Sequence, residues 1–136
     1  MEIRCAAEKD IPWLAKHDRH IGADALQSSV RQGRILLAEQ DGQNVGWLRW
    51  SLFWDEIPFM NMLYLLEGYR RQGLGRVLVS RWEEGMHRLG HRRVMTSTQA
   101  NEDGQHFYRR LDYQDAGALL LPGEPLEIIF IKELAL

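Results

Sequence analysis

A chain of 136 residues suffices for one domain around one core. Hydrophobic residues make up 45% and charged residues 26%, as in ordinary globular proteins, and no run approaches the roughly 18 consecutive apolar residues of a membrane helix. The net charge of −2 and pI of about 6.2 argue against a nucleic-acid binder, which carries a basic balance. The lone cysteine, Cys5, rules out an internal disulfide.

The chain starts with a short strand over 2–7. It lacks the apolar stretch and cleavage site of a secretory signal, so the expectation is a cytoplasmic protein. Asp10 is placed to cap a helix with Pro12 in its first turn, and Ile11, Leu14 and Ala15 follow at helical spacing. A second helix covers 23–32 and ends at Gly33. Residues 34–40 and 45–53 are strands joined by the hairpin signal Asp41-Gly42-Gln43-Asn44. After a loop at Trp54-Asp55-Glu56, a strand covers 58–66.

The next helix starts near Gly73. Leu74, Val77, Leu78, Trp82, Met86 and Leu89 mark one apolar face, and Gly90 is a good C-cap residue. A strand at 92–98, a short helix at 101–111 and strands at 113–121 and 126–134 complete the chain. The order β-α-α-β-β-β-α-β-α-β-β predicts a mixed sheet with helices on both faces, in an α/β or α+β domain.

The chemistry concentrates at Arg70-Arg71-Gln72-Gly73-Leu74-Gly75, between a strand and an amphipathic helix. A helix N-terminus offers unpaired N–H groups and the positive end of a dipole. Glycines admit phosphate oxygens close to the backbone, and Arg70, Arg71 and Arg76 add charge with no carboxylate between them. Arg109-Arg110, a second basic pair, reads as a solvated helix surface. The spacing predicts a pyrophosphate site but is neither a P-loop, which ends in Gly-Lys-Ser/Thr, nor a dinucleotide fingerprint, whose third glycine would fall at Leu78.

The pattern met by Arg70, Gly73 and Gly75 resembles the cofactor motif of the GNAT superfamily of acyl-CoA-dependent N-acyltransferases. The element order is similar too, and Asn101…Phe107-Tyr108-Arg109-Arg110-Leu111-Asp112-Tyr113 resembles the family's later Asn…Tyr…Gly-Phe segment. Asp112 stands where the family has glycine; aspartate tolerates the left-handed turn needed there. The resemblance spans essentially the whole chain and implies a single domain over 1–136. It also implies a mostly antiparallel sheet of six to seven strands.

It implies further that acetyl-CoA is the co-substrate, with no metal. Its pantetheine arm would pair with the backbone of Leu65, Leu66 and Glu67. Its pyrophosphate would sit on Arg71, Gln72, Gly73, Leu74 and Gly75, with Arg70 and Arg76 near by and Asn101 touching the arm. The acceptor amine would attack the thioester directly, Tyr108 serving as the acid for the leaving thiol; the other reading of Tyr108 is a core aromatic. Asp55, Glu56, Glu67, His17 and His20 are all open as general base, and none is singled out.

Trp47, Trp50, Phe53 and Trp54 form an aromatic stretch in which 47 and 50 face opposite sides. One face would be core; the other, with Asp55 and Glu56, could wall a pocket for a cationic amine. His17 and His20 lack the companion ligands of a metal site. The acceptor is a small-molecule or protein amine, with no nucleic acid or membrane involved. The apolar run Ile128–Ile131 reads equally as a homodimer interface and as a core strand. A longer acyl group, a non-catalytic acyl-CoA binding or sensing domain and a plain nucleotide binder are the alternatives.

Overall fold

The computed structural model describes residues 1–134. Its elements are β1 (Glu2–Cys5), α1 (Ile11–His17), α2 (Ala23–Arg31), β2 (Ile35–Gln40), β3 (Gln43–Phe53), β4 (Ile57–Leu65), α3 (Leu74–Arg88), β5 (Arg93–Gln99), α4 (Gly104–Arg110), β6 (Gln114–Leu119) and β7 (Glu127–Glu133). The strands form a seven-stranded sheet in the order β1-β2-β3-β4-β5-β7-β6. β1–β2, β2–β3, β5–β7 and β6–β7 pair antiparallel. β4 and β5 run parallel, and α3 is the crossover such a pair requires.

Turn chemistry follows the residues. Asp41 and Gly42 are both left-handed (φ 54° and 77°), as a type I′ hairpin needs. The same backbone recurs between β3 and β4 at Trp54 and Asp55 (φ 56° and 60°). A bulky residue is strained there, and Trp54 is 76% exposed. Asp112 adopts φ 71°, so the aspartate makes the turn expected in place of glycine.

The backbone divides into two compact units. The N-terminal unit comprises Met1–Ser51 and Met62–Trp82; the C-terminal unit comprises Leu52–Asn61 and the chain from Glu83 onward.

The core of the N-terminal unit gathers Leu14 of α1, Leu26 and Val30 of α2, Ile35 and Leu37 of β2 and Trp47 of β3. Each such side chain stabilises the fold by about 1.5–3 kcal/mol through burial. Alternation along β3 turns Trp50 to the opposite face, where its ring centroid lies 6.5 Å from that of Trp82 on α3. Helices thus cover both faces of β3, and both tryptophans are core.

Asp18, just past α1, is held under this layer by Arg49 Nε at 2.9 Å, Trp47 Nε1 at 3.1 Å and the His20 N–H at 3.1 Å. Its charge is fully paired, as a buried carboxylate requires.

Two local expectations change. Asp10 makes no side-chain cap on α1. Its carboxylate takes the Arg4 guanidinium at 2.8 and 2.9 Å and the Ala7 N–H at 2.7 Å, which leaves it unavailable to the helix. The apolar face of α3 is also narrower than its period suggests. Leu78, Val79, Trp82 and Met86 are buried, while Val77 and Leu89 are exposed. The helix ends at Arg88, and Leu89 therefore falls beyond the packed turns.

In the C-terminal unit, Phe130 of β7 is fully buried and Tyr108 of α4 packs against it, with ring centroids 6.1 Å apart. Glu83 of α3 joins the Tyr113 hydroxyl at 2.7 Å to Lys132 Nζ at 2.9 Å. Burial, and then Glu83, push the Tyr113 phenol well above its ordinary range. β7 lies between β5 and β6, so Ile128–Ile131 belongs to an interior strand. β6 is exposed along its whole length.

Candidate functional site

The loop between β4 and α3 is shaped by two left-handed residues, Arg71 (φ 63°) and Gly73 (φ 79°). A Cβ at Gly73 would meet nothing within 4 Å, so backbone conformation rather than crowding calls for glycine there. α3 begins at Leu74. Its first N–H groups have no acceptor inside the helix, and the Val77 N–H is the one that closes back onto Gly73 O, at 3.2 Å. Arg71 and Arg76 are exposed on either side. Exposed guanidinium groups beside the positive end of a 15-residue helix fit a phosphate anion.

Arg70 is placed differently. Its Nε donates to Leu65 O at 2.8 Å, and its guanidinium lies 4.9 Å from the centre of the Tyr64 ring. It ties the loop to the end of β4. The Leu66 N–H donates to Val45 O at 2.8 Å, and Leu66 O accepts from the Tyr69 N–H at 2.9 Å. A strand-like ligand along Leu65 and Leu66 would therefore use the second lone pairs of these carbonyls. Glu67 is exposed in a 3-10 turn over Glu67–Tyr69. β3 approaches this stretch closely: a Cβ at Gly46 would stand 2.5 Å from Leu65 Cδ2 and 2.7 Å from Tyr64 O.

Tyr108 is buried in the C-terminal unit, ringed by Phe107, Tyr113 and Phe130. Burial pushes its phenol up to about 12, and its hydroxyl lies within hydrogen-bond reach of the Thr96 side chain. Thr96 Oγ1 also donates to Met60 O at 3.0 Å. Met60 and Thr96 are partners in the parallel ladder of β4 and β5. The hydroxyl of Tyr108 therefore sits against that ladder and stays protonated at neutral pH. Asn101 is exposed in the turn before α4.

The residues left open as base are scattered. Asp55 and Glu56 are exposed in the turn after β3. His17 is half-buried on α1, stacked on Trp13 at 4.1 Å, and its Nδ1 donates to Trp13 O at 2.9 Å; Nε2 is then the basic nitrogen. His20 is exposed. His17 and His20, with Arg19, Trp47, Met62 and Tyr64, line a cavity of about 260 Å³. The one carboxylate at that cavity, Asp18, is taken by Arg49. No group of three or more metal-ligating side chains occurs among the described residues, and no helix there is long and apolar enough to cross a membrane.

One carboxylate escaped the sequence reading. Glu127, at the start of β7, is half-buried and accepts the Ser97 hydroxyl on Oε2 at 2.6 Å. In the sequence it is a single charge at the head of an apolar strand, Glu127-Ile128-Ile129-Phe130. The available signal was the absence of lysine or arginine from 97–103 and 117–127.

Comparison with known proteins agrees with this architecture. A family model described as "Acetyltransferase (GNAT) family" matches residues 4–113. No curated protein matches the sequence. Among solved structures, Ard1 from Thermoplasma volcanium superposes with a TM-score of 0.84 at 14% identity, covering 98% of this chain and 97% of its own. The ribosomal-protein-S18-alanine N-acetyltransferase of Escherichia coli gives 0.81 at 18% identity, covering 99% and 94%. The yncA protein of Salmonella typhimurium, solved with its cofactor acetyl-CoA, gives 0.80 at 17% identity, covering 99% and 94%.

Proposed function

The chain belongs to the acetyltransferase (GNAT) family, and from that premise we propose that it is an N-acetyltransferase, moving the acetyl group of acetyl-CoA directly to a primary amine. The observation that carries this reading is the left-handed bend at Arg71 and Gly73, which opens the N-terminus of α3 beside exposed Arg71 and Arg76. The pyrophosphate of the donor would sit on the N–H groups of Gln72 to Gly75, and Asn101 would meet the pantetheine arm. That similar folds have been solved with acetyl-CoA and with coenzyme A supports the choice of donor. The acceptor is an amine of a small molecule or a protein.

Tyr108 is the proposed donor to the leaving sulfur. A thiol has a pKa of about 8.5, below the value of about 12 for Tyr108. Complete transfer of the phenolic proton is therefore uphill, and the hydroxyl acts by hydrogen bonding to the developing thiolate. The sulfur receives its proton from the attacking nitrogen.

Thermal unfolding with acetyl-CoA, coenzyme A, ATP and NAD at equal concentration tests the donor site. A ligand at about 100 times its dissociation constant adds about 2.7 kcal/mol, several degrees in a domain of this size. The expected result is a rise with the two coenzyme A compounds alone, lost in Gly75→Glu. No rise with either would remove the donor site and the enzyme reading with it.

A further inference from the structure

Most half-buried or buried carboxylates among the described residues are held by a cation. Asp10 and Glu39 pair with Arg4, Asp18 with Arg49, and Glu83 with Lys132. Glu127 is the exception. Its one hydrogen bond comes from the neutral Ser97 hydroxyl, at 2.6 Å to Oε2, and Oε1 has no partner among the described residues.

The neighbours of Glu127 keep it so. Across the β5–β7 ladder it faces Gln99, and across the β6–β7 ladder it faces Leu119. The connections packed at this end carry Glu102, Asp103 and Glu124, all exposed, and no lysine, arginine or histidine. A half-buried carboxylate with no counter-ion has given up part of its hydration, and a cation that reaches its open oxygen is favoured there. The local charge is of the sign that draws one.

The sheet face beside it is apolar. Cross-strand partners share a face, so Phe59, Met95 and Ile131 form one row and Ser97 and Ile129 the next, with Glu127 following. Ile129, Ile131 and Phe59 are half-buried. Phe53 stacks on Phe59 with centroids 6.2 Å apart, and Trp54 lies 4.7 Å from Phe53. Thr96 and Phe130, between these rows in sequence, face the other side with Tyr108.

We propose that Glu127 receives the acceptor's ammonium group and takes its proton, and that the acceptor is a monoamine with an apolar or aromatic body lying along this face. This rests on the acetyltransferase reading and names its missing base and substrate class. The ammonium donates to Oε1 and transfers one proton to it, giving a neutral amine and the carboxylic acid. The amine nitrogen bonds to the thioester carbonyl carbon. As the C–S bond breaks, the sulfur leaves with the electron pair and takes the second proton from that nitrogen. Glu127 then returns its proton to water, so the net products are the amide, the thiol and one proton. Ser97 is a positioning residue that fixes the carboxylate through Oε2.

The test is release of coenzyme A thiol from acetyl-CoA with β-phenylethylamine, n-hexylamine and spermidine as probes, for wild type, Glu127→Gln and Ser97→Ala. Acetyl-CoA binding is followed in each by its thermal shift. The glutamine keeps the shape and can still accept the Ser97 hydroxyl. The expected result is faster turnover of the two monoamines than of spermidine. Near pH 7, Glu127→Gln should lose about 100-fold in kcat/KM. The loss should shrink to less than about tenfold near pH 10, where the amine is already neutral. Ser97→Ala should show a smaller loss with the same recovery, and all three proteins should bind acetyl-CoA alike.

A Glu127→Gln protein with wild-type rates, or with a loss that does not depend on pH, would overturn the role of base. Preference for spermidine, or no turnover of any probe by a protein that binds acetyl-CoA, would overturn the substrate class. A wild type that does not bind acetyl-CoA would instead remove the acetyltransferase reading, and this proposal with it.

Discussion

Asp18 in the N-terminal unit is a buried carboxylate and Glu127 in the C-terminal unit a half-buried one, and they are treated in opposite ways. Asp18 receives Arg49, the Trp47 indole and a backbone N–H; its acceptor capacity is filled by the fold. Glu127 receives one neutral hydroxyl. A filled carboxylate locks the end of α1 against β3 and can do little else. A carboxylate with an open oxygen contributes little to stability and can accept a further donor. Burial alone does not separate a structural charge from a chemical one; the partner list does.

The sharpest way to break this contrast is to remove each charge without changing its shape. Asp18→Asn should destabilise the protein by about 3–5 kcal/mol, because it leaves Arg49 buried without a counter-ion. Equilibrium unfolding in urea checks this. Glu127→Gln should change stability by less than about 1 kcal/mol, within the range of substitutions that break no network. Equal losses at the two positions would collapse the distinction.

Gly46→Val comes next. The new side chain would press on Tyr64 O and Leu65, and overpacking of this kind costs about 1–3 kcal/mol. Because the strain falls on the stretch assigned to the pantetheine arm, acetyl-CoA affinity should fall along with stability. Loss of stability with unchanged affinity would detach Leu65 and Leu66 from the donor site.

Tyr108→Phe keeps the ring that packs on Phe130 and removes the hydroxyl. Steady-state kinetics should show kcat lowered by about 100-fold with acetyl-CoA binding unchanged. An unchanged kcat would leave Tyr108 as a core aromatic only.

The smallest effects are those of pH on stability, and they should differ between the units. The Arg4 guanidinium holds the Asp10 carboxyl below its ordinary range. Its contribution is present above about pH 4 and is lost as pH falls through the folded value. Arg4→Met should flatten that acid limb. Tyr108 is shifted upward by burial, from 10.0 to about 12, so its contribution is complete below pH 10 and declines as pH rises towards 12. Tyr108→Phe should make the alkaline limb shallower, Tyr113 supplying what remains, and leave the acid one alone. Unfolding curves across the pH range read both.

Much of the fold is legible in local pattern. The hairpin at Asp41–Gly42 follows from residues that accept left-handed backbone. The start of α3 follows from Gly73, and the tolerance of aspartate for that region foretold the turn at Asp112. The same reasoning singled out the loop proposed to hold the phosphates, since its chemistry is written in consecutive residues. What escaped depends on register. Asp18 with Arg49, 31 residues apart, and Ser97 with Glu127, 30 residues apart, meet because strands and helices align them, and no local spacing encodes that. Asp10 was misread for a related reason: its position suits a helix cap, but Arg4, across the first turn, binds it more strongly. Val79 joined the core because α3 is rotated slightly from the axis its apolar spacing implied.

The most direct measurement follows the acetyl group itself. Wild-type protein would be incubated with acetyl-CoA labelled in the acetyl carbons, with and without β-phenylethylamine, and both protein and amine examined by mass spectrometry. Direct attack by the amine on bound donor should place the label on the amine and leave the protein unlabelled in either mixture. Label held covalently on the protein when the amine is left out, and released when it is added, would contradict direct transfer.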